Sequence, residues 1–389
     1  MRPNSAVIAF ASLYGLANAS YGDTLPEFQT CLKECISIMH CRYRNIFQEI
    51  EASREEVYKR EQEIEPRLSQ RQIEIDYFTS KHQLSAISAI FWNCEDDCSY
   101  KCQQLITEQR KASGLPMVQF FGKWPFTRVF GIQEIFSVIF SFGNFYANYI
   151  NLFKVLHQYN KNRKDPHDTY HLMYLQYVYF IIIALCGWSA SILFHIRDNR
   201  ITETLDYYGA FAIVLSNFNC VSVRYFELFK KPKQLVIWQV VMVMIYVGHC
   251  IKLKLNWNYG YNAKINLLYG FGSIVLWVAH SLKVNRKYKE NFFLYNNSMQ
   301  ILPFETKILT KLNMLSVSQT RLIPLIPIFL NVWMMIGMSF EACDFEPVYQ
   351  LIDAHSIWHI FTIFPTIIWF DWNIWDIELS KVGELNKIS

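Results

Sequence analysis

Net charge is nearly absent from this chain: 37 lysines and arginines face 33 aspartates and glutamates, a balance of +4 over 389 residues. That surplus is too small to hold a polyanion, so nucleic acid is excluded as a partner. The basic residues cluster in loops instead, which suits the orientation of a membrane protein. A G-x-S-x-G turn is also missing around Ser191. The absence weighs against a strand–turn–helix serine nucleophile there. The C-terminal LNKIS carries neither a KDEL-type nor a dilysine signal, so no retrieval motif fixes a compartment. The first apolar run, Ala6 to Leu16, is too short to span a bilayer.

That short run reads as a signal peptide. Arg2 precedes it, and Ala17-Asn18-Ala19 forms an A-x-A cleavage site before Ser20. The spacing predicts a signal peptide over 1–19 and a chain that begins in the ER lumen at residue 20. Residues 20–125 are polar, charged and rich in cysteine, and read as a lumenal domain. Cys31, Cys35 and Cys41 form one group, and Cys94, Cys98 and Cys102 a second. An oxidising lumen favours three disulfides over zinc ligation, with fifteen pairings open. The nested set 31–102, 35–98 and 41–94 is centred near residue 67. An antiparallel helical hairpin turning at Glu65-Pro66 would satisfy all three. Cys186, Cys220, Cys250 and Cys343 lie in or beside apolar segments and read as free, small core residues.

Beyond residue 130, long apolar runs alternate with short basic stretches. Seven segments reach the roughly 20 residues needed to cross a bilayer: 132–154, 172–195, 203–225, 234–252, 264–282, 321–339 and 353–373. Lys161, Arg163 and Lys164 follow the first, Lys230, Lys231 and Lys233 the third, and Lys283, Arg286, Lys287 and Lys289 the fifth. The loop after the sixth is acidic, with Glu341, Asp344 and Glu346. By the positive-inside rule the odd-numbered helices exit to the cytosol, which agrees with a lumenal residue 20. The expected fold is an all-α membrane protein, a seven-transmembrane-helix bundle over 126–375 preceded by a disulfide-bonded helical lumenal domain. A cytosolic tail over 376–389 follows. The sequon Asn296-Asn297-Ser298 would then be cytosolic and unused.

Five polar residues stand out in these apolar segments. Ser191 and His195 are four apart in WSASILFH, Asp206 follows eleven residues later, and His355 and His359 form a second i, i+4 pair in DAHSIWHIF. Each pair occupies one helix face. The topology brings all five to the same depth, near the lumenal surface. Ionisable residues in membrane segments point to function. Three histidines supply three corners of a tetrahedral zinc site and leave the fourth open. Zinc on His195, His355 and His359 would acidify water and polarise an ester carbonyl. Asp206 would orient that water and accept its proton, and Ser191 would hydrogen-bond the water or the developing oxyanion. His157, His167, His171, His249 and His280 lack such company and read as loop or helix-end residues. His40 and His82 fall in the lumenal hairpin. Asp353 reads as the cap of the seventh helix. Trp188, Trp358, Trp369 and Trp372 read as interface anchors or packing.

The pattern Ser-xxx-His, Asp eleven later, then HxxxH on the last of seven helices resembles the CREST hydrolases, which include alkaline ceramidases and progestin/adiponectin-type receptors. More closely, the chain is similar to the GPI-anchor lipid-remodelling members, the post-GPI-attachment-to-proteins factor three family. The supporting blocks are CEDDCSYKC (94–102), GKWPF (122–126), QEIFS (133–137), FHIRDNRITETLDY (194–207) and DAHSIWHI (353–360). Two departures are Ile135, where the family carries proline, and a long charged insertion over about 45–80. The resemblance implies a seven-helix bundle with zinc on three histidines. It implies hydrolysis of the sn-2 acyl ester of the inositol phospholipid on GPI-anchored proteins. These proteins and membrane lipid are the implied partners, and the ER membrane, or the Golgi, the implied location. A ceramidase-type lipid amidase and a non-catalytic receptor or GPI-protein chaperone are the competing functions. The cysteine-rich domain and the GKWPF and QE blocks argue against the amidase.

Overall fold

The structure, a computed structural model, describes residues 20–39, 41, 92–165, 168–290 and 320–388. The signal segment, the Glu65-Pro66 turn, the charged insertion, the Asn296 sequon, His40, His82 and His167 lie outside the described residues. The chain forms two compact units, Asn18–Ile135 with Glu346–Leu351, and a helical unit from Phe136 onward.

The first unit is built on two antiparallel helices, α1 (Pro26–Ile38) and α2 (Cys94–Ala112). Proline opens α1, where its missing N–H costs nothing. Asn93 caps α2 by accepting from the Asp96 amide at 2.7 Å. Glu95, Asp96 and Asp97 fill its first turn and Arg110 and Lys111 its last, each sign facing the dipole end it suits. Disulfides join Cys31 to Cys102, Cys35 to Cys98 and Cys41 to Cys94, with Cα separations of 5.8, 5.6 and 5.3 Å. This is the nested set that the spacing allowed. Phe28 and Phe120 complete the core around the sulfurs.

The GKWPF block begins on a tight turn. Phe120 and Lys123 pair as antiparallel residues, and the two between them, Phe121 and Gly122, both have positive φ (51° and 77°). That geometry is a type I′ turn, whose second position favours glycine. Arg128 is sandwiched between Trp92 and Tyr100, 3.4 and 4.1 Å from the ring centroids, and pairs with Asp97 at 3.4 Å. Burial pushes the Tyr100 hydroxyl above its ordinary pKa, against the opposing pull of Arg128.

The second unit contains seven long helices among the described residues: α3 (Ile135–Asn162), α4 (Tyr170–Ile196), α5 (Arg200–Tyr225), α6 (Pro232–Leu255), α7 (Tyr259–Glu290), α8 (Ile326–Cys343) and α9 (Ala354–Ile388). Four spans, Tyr170–Ile196, Pro232–Leu255, Tyr259–Glu290 and Leu322–Cys343, are long and apolar enough to cross a bilayer. The protein is a helical membrane protein.

Helix α3 shows how the polar segments fit this setting. Ser137, Ser141, Asn144, Asn148, Asn151, Gln158 and Asn162 are buried at helical spacing. Ile139, Phe142, Tyr146, Tyr149 and Phe153 point outward. The amphipathicity is inverted relative to a helix in water: apolar side chains point outward and polar ones face protein.

Small residues set the close crossings. A Cβ on Gly209 would lie 2.9 Å from the Gly187 Cα, so α4 and α5 touch backbone to backbone there. A Cβ on Gly337 of α8 would lie 2.6 Å from the Phe361 Cβ of α9. Asp353 caps α9 as expected: its carboxylate accepts from the Ser356 amide at 2.8 Å, and the Ser356 hydroxyl accepts from the Asp353 amide at 3.0 Å.

Several expectations change. Helices α3 and α9 run past the apolar segments that mark them, and α9 continues through the region read as a tail, where Asp376 is buried. Hydropathy measures the thickness of lipid to be crossed, not where hydrogen bonding stops. The four cysteines read as core are free, but only Cys220 is buried. Cys186 and Cys343 are exposed. His280 is not a helix-end residue: it is 2% exposed and its Nε2 lies 2.9 Å from an Asp376 carboxylate oxygen. His249 is likewise buried, with its ring 4.0 Å from that of Phe211.

Candidate metal centre

Three helix ends meet at one end of the bundle. His195 closes α4, His355 and His359 occupy the first two turns of α9, and Ser141 lies in the second turn of α3. One ring nitrogen from each of His195, His355 and His359 falls within 4.8 Å of the others. The Nε2 atoms of His355 and His359 are 3.0 Å apart. Ring centroids are 5.2 Å apart for His195–His355, 5.0 Å for His195–His359 and 4.5 Å for His355–His359. His195 and His359 are buried, and His355 is partly open.

The far nitrogens of the α9 pair are engaged from other helices. Nδ1 of His359 lies 2.8 Å from the Ser141 hydroxyl, and that hydroxyl lies 3.1 Å from Ser191. Nδ1 of His355 lies 3.0 and 3.1 Å from the two carboxylate oxygens of Glu341 at the end of α8. If each Nδ1 carries its proton toward these oxygens, each Nε2 presents a lone pair to the cluster. Asn144 donates to the His359 carbonyl at 2.8 Å and ties α3 to α9 at the same level. The Trp188 ring stands edge-on to His359 at 5.3 Å and walls the site.

The donor set fits zinc. Nitrogen ligands at about 2.0–2.1 Å in tetrahedral array stand about 3.4 Å from one another. The α9 pair, 3.0 Å apart, is already near that separation, and a His195 nitrogen lies within 4.8 Å of both.

The sequence-predicted residues separate into two groups. Ser191, His195, His355 and His359 come together. Ser191 reaches the histidines through Ser141 and is itself buried. Asp206 is half-buried in the second turn of α5 and is not part of the three-imidazole cluster. Ser141, Asn144 and Glu341 were not singled out from sequence. Glu341 read as the first residue of an acidic loop, although an acidic residue closing an apolar segment is itself a signal.

Residues 85–377 match the Per1-like family. Protein PER1 of Saccharomyces cerevisiae is 29% identical over 364 residues, 93% of this chain and 93% of that protein. The PER1 homolog of Schizosaccharomyces pombe is 32% identical over 276 residues, 70% of this chain and 71% of its own length. A human relative named GPI-specific phospholipase A2-like PGAP3 is 28% identical over 298 residues, 76% of this chain and 79% of its own. No solved structure matches the chain. With its cysteine helices, its three-histidine cluster and a family match over most of its length, the chain belongs to the Per1-like family.

Proposed function

We propose that the protein is a zinc-dependent hydrolase that removes the sn-2 acyl chain from the inositol phospholipid of GPI-anchored proteins. The observation that carries this reading is the convergence of three imidazole nitrogens within 4.8 Å. Relatives named for post-GPI attachment and for a GPI-specific phospholipase A2-like activity support the choice of substrate. The seven long helices are read as seven spans, with the disulfide unit and the histidine end of the bundle on the lumenal side of the ER membrane.

His195, His355 and His359 would hold the zinc. When bound there, zinc supplies a Lewis acid for the ester carbonyl and acidifies water toward a pKa of about 7. The residues around it do the rest. Ser141 fixes the ring of His359, and Ser191 steadies Ser141. Asp206 takes the proton of the attacking water. Trp188 and the apolar flanks of α4 limit the access of bulk water, which strengthens every charge interaction inside.

The test compares the wild-type chain with His195→Ala in cells lacking the protein, at matched membrane abundance. Purified wild type should contain one zinc per chain, and its GPI anchors should have lost the original sn-2 chain. His195→Ala empties one coordination corner and should abolish both. Remodelling by His195→Ala at the wild-type level would overturn the metal-hydrolase reading.

A further inference from the structure

We infer that Glu341 is a positioning residue: its carboxylate fixes the ring of His355 so that Nε2 faces the other two histidines. The inference rests on the zinc reading above and deepens it.

The three histidines are not held equally. His195 is 1% exposed and His359 is 4% exposed. His359 is further locked by Ser141 and Trp188. His355 is the open member, with 36% of its side chain exposed. Burial does less to fix this ring about its side-chain torsions than it does for the other two. A ring turned by half a rotation would offer the wrong nitrogen. Both oxygens of Glu341 lie on Nδ1, at 3.0 and 3.1 Å. An ionised carboxylate only accepts, so Nδ1 must be the protonated nitrogen. The lone pair is then left on Nε2, 3.0 Å from its counterpart on His359.

The backbone is arranged to bring this about. Gly337 lies one turn before Glu341 on α8, and its missing side chain lets α8 press against α9 at Phe361 and Trp358. These α9 residues flank His359. From that crossing α8 and α9 run side by side toward the site, and one turn further on Glu341 reaches His355. A carboxylate behind a ligating histidine also raises its basicity, and loss of such a partner typically weakens metal affinity about 10- to 100-fold.

The experiment is zinc affinity of the purified full chain, measured by competition with a chromogenic chelator, together with melting of the metal-free proteins. Glu341→Ala should bind zinc about 10- to 100-fold more weakly than wild type. Glu341→Gln keeps an amide oxygen that accepts from Nδ1–H and should recover most of the loss. Both should melt with metal-free wild type, which a merely structural role would not give. Should the alanine variant fail to fold, Glu341→Met fills the space without an acceptor and should show the same weakening. Wild-type affinity in Glu341→Ala or Glu341→Met would overturn the inference, as would a loss in Glu341→Gln as large as theirs. Wild type that binds no zinc would instead overturn the metal reading on which the inference stands.

Discussion

At the scale of single residues, the α4–α5 crossing fixes where Asp206 stands relative to the histidines, and so whether it suits the proposed role of base. Gly187 and Gly209 fix that crossing. At about 1.5 Å per residue, Ser191 lies about 6 Å and His195 about 12 Å beyond Gly187, while Asp206 lies about 4.5 Å beyond Gly209 in the same direction. Asp206 is thus level with Ser191 along the bundle and short of His195. Helical side chains lean toward their own N-terminus, so on these antiparallel helices His195 and Asp206 lean toward each other. A carboxylate so placed suits proton transfer through water better than ligation. Asp206→Asn should therefore keep zinc content at the wild-type level while lowering sn-2 hydrolysis by about 100- to 10,000-fold. Full remodelling by a stable Asp206→Asn protein would remove Asp206 from the mechanism. The histidines were legible in sequence because a pair four apart shares a helix face whatever the fold. Ser141 and Glu341 were not, since each meets its histidine only through contacts between helices distant in the chain.

At the scale of the element, α9 carries a proline, Pro365, inside its apolar stretch. Proline donates no hydrogen bond, so the Phe361 carbonyl loses its partner within the helix. In lipid an unpaired carbonyl is costly, and neighbouring helices commonly satisfy it. Here the Trp333 indole N–H of α8 donates to the Phe361 carbonyl at 2.9 Å, with its ring stacked 4.7 Å from that of Phe361. The hydrogen bond ties α8 to α9 two turns from Glu341. Trp333→Phe keeps an aromatic ring and removes the donor. It should destabilise the purified protein by about 0.5–1.5 kcal/mol. In a Pro365→Ala background the residue-365 amide reclaims the carbonyl, so the same substitution should cost markedly less. Equal losses in both backgrounds, read by thermal unfolding in detergent, would show that the indole does not serve that carbonyl. The seven apolar segments were legible from length and composition, and all seven are helices. Their true ends were not, because α3 and α9 continue on hydrogen bonds and polar packing after the apolar run is over.

At the scale of the molecule, two separate devices hold distant chain segments. In the first unit the cysteines do so, and their pairing was foreshadowed because two groups spaced nearly as mirror images admit one nested solution on an antiparallel helix pair. In the helical unit the device is a buried charge cluster that no motif announced. Arg224 of α5 donates to both oxygens of Asp376 of α9, at 2.6 and 3.0 Å, and His280 of α7 lies 2.9 Å from the same carboxylate. All three are at most 4% exposed. The cluster joins three helices at the end of the bundle opposite the histidines: 17 residues of α9 separate His359 from Asp376, about 25 Å of helix. Removing one partner from such a pair strands a buried charge and typically costs about 3–5 kcal/mol, whereas replacing the whole set with apolar groups is often neutral. Asp376→Ala should therefore lower the thermal unfolding temperature sharply. The triple variant Arg224→Met, His280→Phe, Asp376→Leu should recover most of that loss. Because the cluster is remote from the imidazoles, the triple variant should also retain one zinc per chain. Unfolding of Asp376→Ala at the wild-type temperature would show that the cluster does not hold the three helices. A triple variant that folds but carries no zinc would show that the two ends of the bundle are coupled.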